Sequence, residues 1–140
     1  IIEEHLHDYI GFVSPYLVLY EEFSTYENLN HFAEIRGISF NKERVDYLLN
    51  KFLLFKRKDD LLKTYSSGMK QRVKFIFALM HLPQLLILDE PTSNLDDEGK
   101  NSVYELVKEE GQKNIVLIAS NEKHDLEVCS DIVYLEKFKN

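Results

Sequence analysis

The sequence predicts an α/β fold built on a parallel sheet. Three observations carry that expectation. First, short apolar runs, Leu85–Leu88, Ile115–Ala119 and Ile132–Leu135, alternate with stretches of helical periodicity, so that the order from Leu85 onward reads β-α-β-α-β. Second, strands joined by helical crossovers pair in parallel with right-handed connections. Third, the run Leu85–Leu88 passes straight into Asp89 and Glu90. A buried strand that ends in charge opens on a site, because ligands of parallel sheets bind outside the carboxyl ends of the strands. Pro91 forbids further pairing there, having no backbone N–H.

In chain order, Tyr9–Val13 reads as a short buried strand ended by Ser14 and Pro15. Residues 16–24 mix apolar and acidic side chains and read as a loop. Ser24 and Glu27 have capping-box spacing and open a helix with the apolar stripe Leu29, Phe32 and Ala33, which Gly37 stops. Asn41 caps a second helix, in which Val45, Leu48, Leu49, Phe52 and Leu53 recur at amphipathic spacing. The mixed charges Lys56–Asp60 read as a solvated turn. Ser66 and Ser67 begin a third helix, with Met69, Val73, Ile76, Phe77 and Met80 on one face. Asp96 caps a fourth, Asp97 and Glu98 complement its dipole, Val103, Leu106 and Val107 face inward, and Gly111 ends it. Residues 122–129 predict a short helix, and Ile132–Leu135 a last strand. The two successive helices between Ser24 and Leu54 imply a helical subdomain beside the sheet.

The chain's 140 residues suffice for one domain with a sizeable core. With 44% hydrophobic and 29% charged residues it is globular and not disordered. A net charge of −7 argues against non-specific nucleic-acid binding, which needs a basic face. The single cysteine, Cys129, has no internal disulfide partner and fits a reducing compartment. No apolar run approaches the roughly 18 residues that span a bilayer. The opening IIEEHLHDY is charged, has no signal-peptide core and does not start with methionine, as expected of a fragment.

Two stretches carry chemistry. Of the adjacent acids Asp89 and Glu90, one suits a hydrated Mg²⁺ and the other suits a water that must be oriented and deprotonated. The bland alternative is a strand that ends at solvent. In Tyr65–Arg72, YSSGMKQR, two serines and a glycine stand at a helix start, where free N–H groups and the dipole favour an anion such as phosphate. The bland alternative is plain serine capping.

Together these stretches resemble the nucleotide-binding domain of ABC ATPases. YSSGMKQR is similar to that family's LSGGQ signature with its QR pair, LLILDEP to its Walker B strand and following glutamate, and Ser93–Asp96 (SNLD) to its D-loop. Ile10–Val13 and Glu27–Leu29 resemble the Q-loop strand and the start of the helical subdomain. The resemblance implies a P-loop NTPase-like α/β fold. It would have a partial parallel sheet with helices on both faces and a signature subdomain at about residues 15–65, residues 1–14 and 66–140 forming the catalytic part. It implies a head-to-tail dimer with ATP between two copies, Mg²⁺ held by Asp89 through water, and Glu90 polarising the attacking water. Ser66, Ser67 and Gly68 would hold the γ-phosphate of the partner's ATP, and Asp96 would communicate across the dimer. The subdomain would dock on a membrane permease, which places the protein in the cytoplasm at the inner face of the membrane. The SSGMKQR wording leans toward exporters.

Three departures follow. No G-x-x-x-x-G-K-[ST] run is present, so most phosphate contacts are missing and the chain alone is expected neither to bind nor to hydrolyse ATP appreciably. IGFVSP places Pro15 where the family carries its Q-loop glutamine, and IVLIASNE places Asn121 at the switch histidine. Asparagine donates a hydrogen bond but carries no proton charge. His124 is a candidate substitute for the switch histidine, while His5 and His7 read as solvent-exposed. Two rival functions stay open: a soluble ABC ATPase acting on nucleic acid or ribosomes, against which the acidic balance weighs, and a non-catalytic partner domain.

Overall fold

The computed structural model describes residues 3–138. After a 3-10 turn at Glu3–Tyr9, β1 covers Ile10–Val13. The helices α1 (Thr25–Arg36) and α2 (Lys42–Lys51) follow, then α3 (Ser67–Leu79). β2 (Leu85–Asp89), α4 (Asp97–Gly111), β3 (Ile115–Ala119) and α5 (Lys123–Glu127) complete the regular elements, and a 3-10 turn closes the described chain at Leu135–Phe138. The caps act as the sequence predicts. Ser24, Asn41, Ser66 and Asp96 each accept the backbone N–H three residues on. Gly37 ends α1 at φ 65°, in the left-handed region that glycine enters without steric cost.

The sheet is parallel, in the order β1-β2-β3, with β2 central. Its register sets Gly11 beside Leu86 and Leu86 beside Val116, and likewise Val13, Leu88 and Ile118. That row faces the helices. Gly11, Val13, Leu86 and Leu88 are buried, in one core with Leu29, Leu48, Phe52, Phe75 and Leu106. The opposite row is open: Phe12, Ile115 and Leu117 are each at least half exposed. The mixed α/β class with a parallel sheet is as the sequence reading expects, and the crossover helices α3 and α4 share one core with the row of Val13, Leu86 and Leu88. The strand order explains this. Both crossovers step in the same direction, and two right-handed crossovers in one direction lie on one face.

Three local expectations are corrected. Ile132–Leu135 is not a strand; residues 131–134 are irregular and exposed. The segment lines a groove of about 810 Å³ with β3, and across that groove it has no ladder to the strand among the described residues. Leu53 is exposed, because α2 ends at Lys51 and the chain turns through φ 59° there; Leu54 is buried in its stead. Gly111 is the last residue of α4, which closes on a right-handed Gln112 and not on a glycine cap. The charged run at 56–60 is a turn, tied by Arg57 to Asp60 at 2.8 Å, with the Lys58 ammonium over the Tyr26 and Phe55 rings.

Candidate functional site

Asp89 ends the central strand, half-buried and in register with Ala119. The backbone then turns abruptly. Glu90 sits at φ 46°, which non-glycine residues rarely adopt, and its N–H donates to Ala119 O at 2.8 Å. The ladder to β3 therefore extends one residue beyond the strand and holds the strained position. The Glu90 carboxylate reaches the exit of β3. Its Oε1 accepts both the backbone N–H and the Nδ2–H of Asn121, each at 3.2 Å. Ser120 Oγ lies 3.3 Å from Oε2 but 2.8 Å from Asp125 Oδ2. A hydroxyl has one proton, and the shorter contact directs it to Asp125.

Asp125 is wholly buried, and its Oδ1 accepts Thr92 Oγ1 at 2.8 Å and the Tyr104 hydroxyl at 2.9 Å. Burial first, then the hydrogen bond and charge of Asp125, push the Tyr104 phenol up to about 12. The loop after β2, helix α4 and the loop after β3 thus meet on one carboxylate.

The start of α3 approaches the same loop from the other side. Ser66 and Ser67 are exposed, and Ser66 Oγ accepts Met69 N–H at 3.2 Å. A Cβ on Gly68 would lie 2.9 Å from Asn94 O, so a glycine is needed where the helix start meets the loop. Gln71 Nε2 donates to Pro91 O at 3.2 Å. Arg72 Nη2 donates to Asp96 Oδ1 at 2.9 Å, and Gly99 N–H donates to the same oxygen. The Gly99 N–H first, and Arg72 with it, hold the Asp96 carboxyl below the usual carboxylate range. A cleft of about 280 Å³ opens between Pro15, Ser67, Gln71, Lys74 and Asn94.

The expected site residues therefore fall into two groups around residues 90–96: Asp89, Glu90 and Asn121 at the sheet, and Pro15, Ser67, Gly68 and Asp96 around the start of α3. His124 is not among them; it is exposed and lies 3.0 Å from Glu127. His5 and His7 are exposed and both lie beside Asp8. Asp89 and Glu90 supply carboxylate oxygens, the hard donors Mg²⁺ takes one or two at a time beside water and phosphate, and the hydrogen bonds to the Glu90 carboxylate come from the neutral Asn121, which leaves it free of cations among the described residues. The donor set fits a hydrated Mg²⁺. Lys74, Thr92, Tyr104, Ser120 and Asp125 escape sequence reasoning. Only Lys74 leaves a signal there, as the single charge in VKFIFALM.

The family model described as ABC transporter matches residues 1–93, two thirds of the chain, including Pro15, Ser66–Gly68, Asp89 and Glu90. The chain belongs to the ABC transporter family. An uncharacterized ABC transporter ATP-binding protein of Bacillus subtilis, YhcH, is 36% identical over 137 residues, covering 94% of this chain and 44% of that protein. The linearmycin resistance ATP-binding protein LnrL of the same organism is 35% identical over 111 residues, 78% of this chain and 36% of its own length. The bacitracin transport ATP-binding protein BcrA of Enterococcus faecalis is 32% identical over 130 residues, 91% of this chain and 42% of its own. A solved ATP-binding subunit of an ABC transporter superposes with a TM-score of 0.74 at 26% identity, covering 89% of this chain and 53% of the other. This ABC transporter chain thus spans less than half the length of these three relatives. Among the described residues, none of its helices is long and apolar enough to cross a membrane.

Proposed function

We propose that the chain is the signature and Walker B part of an ATP-hydrolysing ABC transporter subunit that drives a membrane permease. One observation carries this reading. The Asp89–Glu90 strand tip and the serine-capped start of α3 converge on the same loop, with Gly68 against Asn94 and Gln71 on Pro91 O. Bound Mg²⁺ supplies charge neutralisation for phosphoryl transfer. Asp89 would hold that ion. Glu90 orients the attacking water and takes its proton at Oε2, the oxygen that Ser120 leaves free. Asn121 fixes the Glu90 rotamer at Oε1. Ser66, Ser67 and Gly68 serve the γ-phosphate of a second subunit's ATP, in a head-to-tail pair, through hydroxyls and helix N–H groups. Asp96, tied to Arg72, carries the contact across that pair.

Residues 15–65 form the permease-facing subdomain, for which the exposed Tyr16, Val18 and Tyr20 supply an apolar contact surface. The protein then works in the cytoplasm at the inner face of the membrane. Relatives named for linearmycin resistance and bacitracin transport support an exporter. A second reading, a partner domain that hydrolyses poorly, is favoured by Asn121, whose amide donates to Glu90 Oε1 but has no titrating proton to exchange there. The test uses the full-length protein. Glu90→Gln is expected to abolish turnover while retaining bound ATP; turnover at the unaltered rate would remove Glu90 from the mechanism.

A further inference from the structure

Helix α3 presents two donors in succession to the turns that leave the sheet. Gln71 Nε2 donates to Pro91 O, behind β2, at 3.2 Å. About one helical turn further on, Lys74 Nζ donates to Ser14 O at 3.2 Å and to Pro15 O at 2.7 Å, behind β1. Lys74 is only 9% exposed, in a run where Val73, Phe75 and Ile76 are buried core. Among the described residues its partners are carbonyl oxygens, with no carboxylate among them. An ammonium solvated in this way costs stability relative to an apolar side chain of similar volume. Burial accordingly pulls the Lys74 pKa below that of an ordinary lysine.

What Lys74 supplies in return is geometry. Proline has no N–H by which its turn can be tied back, so the carbonyls of Ser14 and Pro15 are the remaining handles. A three-donor ammonium holds both at once. The turn has little else. Tyr16 N–H donates to Ser14 Oγ and Leu17 N–H to Ser14 O, each at 3.2 Å.

We propose that Lys74 is a positioning residue that locks the Ser14–Pro15 turn to α3, so that this turn and the Ser66–Gly68 helix start move as one piece. In a chain without the Q-loop glutamine, the lock replaces an adjustable side chain with a fixed one. That the locked turn faces nucleotide rests on the ATPase reading; the lock itself does not.

The test is amide hydrogen exchange on this 140-residue chain without nucleotide, so its result is independent of the ATPase reading. Lys74→Met is expected to speed exchange at Tyr16 and Leu17 about tenfold or more, while amides of α1 and α4 keep their rates. Lys74→Arg, whose guanidinium also spans two carbonyls, is expected to restore protection. Lys74→Gln is expected to fall between. Unchanged exchange at Tyr16 and Leu17 in Lys74→Met, or an equal rise in α4, overturns the proposal. Should Lys74→Met fail to fold, the other two variants decide: weaker protection in Gln than in Arg supports the lock, and equal protection overturns it.

Discussion

His81 shows how one buried group sets a pH dependence. Its Nε2 donates to Ile10 O at 3.0 Å, while Nδ1 is buried without a partner among the described residues. Burial, the largest influence, pulls the imidazole below its usual 6.5. The unfolded chain therefore binds a proton there more readily than the folded one. The stability that neutral His81 contributes is complete above about pH 6.5 and is lost as pH falls from there through the folded value. His81→Gln keeps a donor and removes the titration. The urea midpoint of the wild type should fall more steeply between about pH 7.5 and 5.5 than that of the variant; parallel falls would exclude His81 as the cause. Legibility at this scale follows distance along the chain. Ser24, Asn41, Ser66 and Asp96 could be assigned as caps because each acts on its own backbone three residues on. The left-handed Glu90 and the hydroxyls around Asp125 could not, because their partners come from α4 and from the loops after β2 and β3.

Among the elements, α3 packs on β1 with room only for a glycine at position 11. A Cβ on Gly11 would lie 2.3 Å from Ala78 O, 2.9 Å from Pro83 Cγ and 3.0 Å from Leu86 Cδ1. The nearest of these is backbone, so helix and strand would have to part. Gly11→Ala should destabilise by about 1–3 kcal/mol through overpacking. Gly111→Ala, with nothing within 4 Å and helical backbone, should be neutral or stabilise by up to about 1 kcal/mol. Equal urea midpoints for the two variants would refute the packing argument. Helix periodicity was legible because one face meets one core: Val45, Leu48, Leu49, Val103, Leu106 and Val107 are all buried as expected. The segment Ile132–Leu135 misled because a strand is defined by its neighbour as much as by its own residues. Apolar, β-branched composition shows that a segment suits a sheet, not that the chain brings it close enough to an edge to pair.

For the whole molecule, the distribution of charge decides what the chain binds unaided. A triphosphate needs cations and free N–H groups around it. The chain carries a net charge of −7 and has no G-x-x-x-x-G-K-[ST] loop. Along the start of α3, the cations are already engaged: Lys70 with Glu21 at 2.5 Å, Arg72 with Asp96, and Lys74 with the Ser14 and Pro15 carbonyls. What remains for phosphate is the start of α3, a partial charge of roughly half a unit, while the sheet side presents two acids. Titration of this chain with Mg-ATP should therefore show no saturable binding tighter than about 1 mM, a free energy of about −4 kcal/mol. A micromolar dissociation constant would mean that the strand tip and the helix start form a complete nucleotide site together. The Gly68–Asn94 contact and the Glu90–Asn121 pairing would then have to open to admit phosphate, and both should lose their amide protection when Mg-ATP binds.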